Sequence, residues 1–116
     1  MFKFEKLDVW EKAIKFADVM IEIADSLPKT YQFSFSDQLR RAGLSVPNNI
    51  AEGAGRRGVK ESSNFFNISK GSVYECISIL VILSMRELIS WSKFNKREIY
   101  NLADEICRML SGLIRK

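Results

Sequence analysis

The chain has no histidine, only two cysteines and two prolines, and six glycines in 116 residues. Without histidine it lacks the commonest general base, the usual activator of a serine or cysteine nucleophile, and the commonest nitrogen ligand for a metal. Cys76 and Cys107 are too far apart in sequence for the paired ligands of a zinc site. Two cysteines are also too few for the disulfide framework of a small secreted domain. Both fall at apolar helical positions and read as reduced thiols of a cytoplasmic protein. The first residues, MFKFEKLDVWEK, are charged from the start and carry no apolar stretch before a small-residue cleavage site, so no signal peptide is expected. The longest apolar run, Ile77 to Leu83 with Ser78 inside it, falls well short of the ~20 residues of a membrane span. No membrane partner is expected.

What is present is helical patterning and a mild excess of positive charge. The net charge is +4 and the pI about 9.2, which favours anionic partners without specifying one. Residues 28–60 carry six basic and two acidic side chains, whereas residues 1–27 carry four and six. The positive excess therefore sits around the segment SDQLRRAGLSVPNNIAEGAGRRG, Ser36 to Gly58.

Val9, Ala13, Phe16, Met20, Ala24 and Leu27 recur in three- and four-residue steps, which predicts one amphipathic helix ended by Pro28. Ser36 or Asp37 is placed to cap a second helix, whose inner face is Leu39, Ala42, Gly43, Val46 and Ile50. Pro47 predicts a kink between Gly43 and Pro47, because proline has no amide hydrogen and its ring crowds the carbonyl four residues back. Asn48 and Asn49 would bond carbonyls freed by that kink or line a polar seam between subunits. Gly53 and Gly55 are expected to end the helix, and Gly58 with Glu61 to start a third by a capping box.

The third helix is expected to run from about Val59 to Trp91. Ile77, Ile79, Leu80, Val81, Ile82, Leu83 and Met85 point in every direction around it, and a helix apolar all round is buried all round. One bundle interior covers one side, so Ile79, Val81, Ile82 and Met85 are candidates for contact with another subunit. The alternative is a greasy outer face under a loop. Ile99, Leu102, Ala103, Ile106, Met109, Leu110 and Leu113 give a fourth helix. There is no strand alternation, repeat or long linker. The expected fold is a single all-α domain over residues 1–116, an antiparallel up-down-up-down four-helix bundle with a kinked second and a long third helix.

Gly53, Gly55 and Gly58 spell a dinucleotide-binding fingerprint, but they follow a helix with no parallel sheet available, so a helix-to-helix turn explains them. Arg56, Arg57 and Lys60 lie at the approach to the third helix, where free amides and the helix dipole favour anions. Arg40 and Arg41 are adjacent on the second helix, about 100° apart, so at most one faces inward. These five are the candidate nucleic-acid-binding residues, the alternative being ion pairs with Asp37, Glu52 and Glu61. The same three carboxylates could hold magnesium, though no spacing requires it. No catalytic residue, metal or cofactor is assigned. Trp10, Phe16, Phe65, Phe66 and Tyr74 could stack on bases, but their helical spacing favours core packing.

The string Asp37-Gln38-Leu39-Arg40-Arg41-Ala42, then Ser45-Val46-Pro47, Asn49-Ile50-Ala51-Glu52-Gly53, Gly55-Arg56, Lys60-Glu61, Phe65 and Gly71-Ser72 resembles the bacterial 23S rRNA intervening-sequence proteins. Leu7, Trp10 and Leu27-Pro28 fit the same pattern. The resemblance runs from near the N-terminus to about Glu75, with only helical character beyond. It implies a four-helix bundle assembling as a homopentamer, encoded in some bacteria within insertions in large-subunit rRNA genes, with no established reaction. It also extends to accessory proteins of diversity-generating retroelements, basic pentameric bundles that bind nucleic acid and a reverse transcriptase. Both RNA or DNA binding and an adapter role toward a protein partner are thus implied by analogy. Gly58, Gly43 and Asn48 depart from the family pattern, where a serine or threonine, an alanine and a small residue are usual.

Overall fold

The structure, a computed structural model, describes residues 1–114. Four helices follow one another: α1, Asp8–Ser26; α2, Asp37–Ala54; α3, Val59–Met85; and α4, Lys96–Ile114. Consecutive helices pack side by side and α4 closes against α1, which gives the antiparallel four-helix bundle. No strand occurs among the described residues. One hydrophobic core takes side chains from all four helices, with Phe16, Met20, Ile23, Leu39, Ile50, Leu80, Leu83, Ile106 and Leu110 fully buried. Burying each such side chain contributes about 1.5–3 kcal/mol.

α1 forms where its apolar positions share one face, and Leu27 leaves it in an extended conformation (ψ 152°), as a residue before proline must. The carbonyls left without partners at its C-terminus are taken by side chains from the following segment. The Gln32 amide donates to the carbonyls of Ala24 at 3.1 Å and Leu27 at 2.8 Å. The buried Ser36 hydroxyl donates to Ala24 at 2.8 Å. Ser36 therefore does not cap α2: it is already helical (φ −63°, ψ −47°), and the chain enters α2 through a π-helical turn, Gln32–Ser36.

α2 runs without interruption through the buried Pro47 to Ala54. Its two buried glycines mark closest approaches to its neighbours. A Cβ on Gly43 would lie 2.9 Å from the Met20 Cβ of α1, and one on Gly53 would lie 2.6 Å from Cε1 of Phe66 in α3. The helix ends at Ala54 with Gly55 as its C-cap, between the two glycines expected to end it, and Gly53 is also small because Phe66 needs the space. Among the described residues no glycine has positive φ.

The α2 and α3 interface carries a polar seam inside the single chain. Ser69 donates to the Val46 carbonyl at 2.8 Å, the Ser45 and Ser72 hydroxyls meet at 2.7 Å, and Asn49 donates to the carbonyl and hydroxyl of Ser45 at 2.9 Å each. Asn49 thus serves this seam, and Asn48 is exposed.

α3 stops at Met85, earlier than the expected end at Trp91. Glu87 takes a left-handed conformation (φ 57°), the Leu88 amide donates to the Leu83 carbonyl at 2.9 Å and the Glu87 amide to Ser84 at 3.0 Å. This is a Schellman C-cap built without glycine. At the other end Gly58 makes no side-chain cap, so the expected capping box with Glu61 does not form. Ser62 ties the turn instead, its hydroxyl donating to the Gly53 carbonyl at 2.9 Å. α4 begins with Asn95, whose side chain accepts the Glu98 amide at 3.1 Å.

α3 is more apolar as a whole than its longest uninterrupted apolar run. An 18-residue window within it has a mean hydropathy of 1.5, long and apolar enough to cross a membrane by length and composition alone. Its inner side fills the bundle core through Phe66, Val73, Cys76, Ile79, Leu80 and Leu83, and its outer side is open.

Candidate nucleic-acid interface

The five basic candidates fall into two places. Arg40 and Arg41 lie in the first turns of α2, and Arg56, Arg57 and Lys60 lie beyond its far end, about 21 Å away by helix rise. The structure therefore does not bring them into one site.

Arg40 is a fold residue. Its guanidinium donates to Asp25 Oδ1 of α1 through Nε at 3.1 Å and Nη2 at 2.8 Å, and it also donates to the Gln32 side chain. It thereby fastens the start of α2 to the end of α1 and orients the amide that caps α1. Arg41 points to solvent and pairs with Asp37 at 3.1 Å one turn earlier, an exposed pair of small energetic weight.

The α2–α3 turn is different. Arg56 lies over the Phe65 ring, its Cζ 4.8 Å from the centroid, with Glu52 at 3.9 Å. Arg57 and Lys60 are exposed and make no ion pair among the described residues. They flank the uncapped first turn of the 27-residue α3, whose free amides and dipole add to their field. Of the carboxylates named as alternative partners, Asp37 and Glu52 are engaged, by Arg41 and Arg56, while Asp25, the partner of Arg40, went unforeseen.

The N-terminal arm, also unforeseen, reaches this end. Its 3-10 turn, Lys3–Lys6, packs beside α1 and α2, and Phe2, Lys3 and Phe4 line a shallow cavity of about 310 Å³ with Ala51, Glu52 and Gly55. The sequence signal was the alternation of aromatic and basic residues in Phe2-Lys3-Phe4, which carried no helical periodicity to place it.

The apolar candidates on α3 divide as well. Ile79 points into the core at 5% exposure, so it is not part of an outer face; its position one turn after Cys76 puts it on the buried stripe. Val81, Ile82 and Met85 are exposed, Met85 by 79%. Tyr74, assigned to the core from its spacing, joins them at 66% exposure, whereas Phe16 and Phe66 are buried as expected and Trp10 and Phe65 are half-buried.

Among the described residues no three carboxylates or thiols cluster closely enough to hold a metal ion. Burial, with a smaller push from the Glu75 charge, raises the Cys76 thiol from its ordinary value of 9.0 to about 12. Burial also raises Cys107, Lys70 opposing and Asp104 assisting. Both are thiols, not thiolates, at neutral pH, and so are poor nucleophiles.

No curated protein matches the chain. A family model does, over nearly its whole length and well past the segment that carries the resemblance. From residue 5 to residue 112 the chain matches the 23S rRNA-intervening sequence protein model, and it belongs to that family, for which no enzymatic activity is known.

Proposed function

We propose that the protein is a non-enzymatic, self-associating helical bundle that binds nucleic-acid phosphates with little sequence selectivity through the α2–α3 turn. The observation that carries this reading is the pair Arg57 and Lys60, exposed at the open N-terminus of a long helix and without an ion pair among the described residues, with Arg56 beside them. Phosphate contacts supply most of the affinity of low-specificity binding and make it salt-dependent. Arg40 drops out of the binding set because its charge is used between α1 and α2. Arg41 stays at its margin.

Self-association rests on the outer face of α3. Tyr74, Val81, Ile82 and Met85 share one side of the helix with Gly71 and Ser78. A mid-helix glycine costs roughly 0.5–1 kcal/mol relative to alanine. A Cβ on Gly71 would meet nothing within 4 Å, so the fold of one chain gives no reason for it, whereas close approach of another helix does. In the homopentamer that the resemblance implies, +4 per chain would amount to about +20, a field that matters over a Debye length. The two thiols suit a cytoplasmic workplace. A second reading, an adapter for another protein of the kind suggested by the retroelement accessory proteins, draws on the same apolar face.

The test is a titration of nuclease-treated protein against a structured rRNA fragment and a duplex DNA of equal length, at two salt concentrations, with oligomer mass measured alongside. Salt-sensitive binding lost in an Arg56, Arg57 and Lys60 to glutamine variant supports the phosphate site. Intact oligomer with no binding at low salt turns the assignment to the adapter.

A further inference from the structure

We propose that the nucleic acid taken at this end is single-stranded, and that Phe2 provides a stacking platform for one unpaired base beside the phosphate-binding turn. The inference rests on the phosphate reading and deepens it by naming the ligand class.

Phe2 is 76% exposed, yet it is held firmly. Its amide donates to Glu5 Oε1 at 2.8 Å, and the Glu5 amide donates back to its carbonyl at 3.1 Å. Its ring meets Phe4 at 5.8 Å, and Phe4 meets Trp10 edge-on at 5.0 Å. Trp10 in turn packs against the core. A ladder of three rings thus runs from the hydrophobic interior to an exposed aromatic face. Pre-organisation of this kind lowers the ordering cost of a stacking contact.

The surroundings suit a strand whose bases are splayed. Lys3 lines the cavity that Phe2 borders, Gly55 forms part of its other wall, and Arg56 and Arg57 follow Gly55 directly on the turn. Two carboxylates of this end are engaged: Glu5 accepts the Phe2 amide and Glu52 lies 3.9 Å from Arg56. The site therefore presents an aromatic face beside free cations, the combination that holds unpaired nucleotides. A duplex hides its base faces within the stack, so it can use the cations but not the ring.

The experiment measures fluorescence anisotropy of full-length protein with a labelled oligouridylate, an oligothymidylate of equal length and a hairpin duplex of equal charge. Wild type is compared with Phe2→Ala, Phe2→Tyr and Arg57→Gln/Lys60→Gln, and oligomer mass is recorded for each. Phe2→Ala is expected to weaken both single strands by about tenfold or more and leave the duplex unchanged, with Phe2→Tyr near wild type. The uridylate and thymidylate arms show whether RNA or DNA is preferred. Equal single-strand affinity in wild type and Phe2→Ala overturns the platform, as does a changed oligomer mass in Phe2→Ala, which would make the ring a subunit contact. Duplex binding without single-strand preference overturns this inference and leaves the phosphate site standing. No binding of any ligand removes both.

Discussion

Gly53 of α2 and Phe66 of α3 touch so closely that a Cβ on the glycine would lie 2.6 Å from the ring, with the Ser62 carbonyl at 3.1 Å. The ring is itself almost fully buried, so it has little room to move. Gly53→Ala is expected to destabilise the fold by about 1–3 kcal/mol and to splay the turn that carries Arg56 and Arg57. Urea unfolding of G53A and of G53A combined with Phe66→Leu checks this: the second change should recover part of the loss.

Glu87 holds a left-handed conformation that costs a non-glycine residue roughly 1–2 kcal/mol. Its side chain is exposed, so little else is at stake. Glu87→Gly should raise stability by about 0.5–1 kcal/mol once the extra freedom of the unfolded chain is counted. Thermal unfolding reads the shift.

These two positions also show what the sequence could tell. Helical spacing located all four helices, and Pro28 follows the end of α1 as expected, whereas Pro47, expected to interrupt α2, lies within one continuous helix. The end of α3 was hidden because its cap is a glutamate, a residue with no turn signature. Gly53 and Gly55 flank the last residue of α2 as expected, but the contact with Phe66 was hidden, because a glycine that makes room for a ring looks the same in sequence as one that ends a helix. Arg40 and Arg57 look equivalent as letters. Only the folded chain brings Asp25 and Gln32 to Arg40, fifteen and eight residues away, and nothing comparable, among the described residues, to Arg57. Ile79 and Val81 are two residues apart in one apolar run, and only the placement of α2 and α4 decides which is core.

Cys76 should resist alkylation at pH 8 in the native state and react when the chain is unfolded, since burial raises its thiol to about 12. The linkage has a definite sign. A pKa raised by folding means that the unfolded chain gives up the proton first, so stability is full below pH 9 and declines between about pH 9 and 12. Cys76→Ala should be less stable at pH 7 but show a shallower decline over that range in denaturant titrations.

Val81→Ser/Met85→Ser should lower the oligomer mass in sedimentation while leaving helicity unchanged, because both side chains are exposed in the single chain. Ile79→Ser should instead unfold it, as burying an unpaired hydroxyl in place of a core isoleucine costs several kcal/mol. Vesicle co-flotation of the same variants separates a subunit contact from a membrane-facing role for α3.

The most direct test of the central claim compares two charge-removing variants at matched ionic strengths. The account predicts that Arg57→Gln/Lys60→Gln weakens nucleic-acid binding and flattens its logarithmic salt dependence by roughly 0.7–0.9 per lost phosphate contact. Arg40→Gln, which breaks the link to Asp25, should leave the salt slope unchanged and lower stability by about 1 kcal/mol. An unchanged slope in the turn variant, or a loss confined to Arg40→Gln, would contradict the assignment of the α2–α3 turn as the phosphate site.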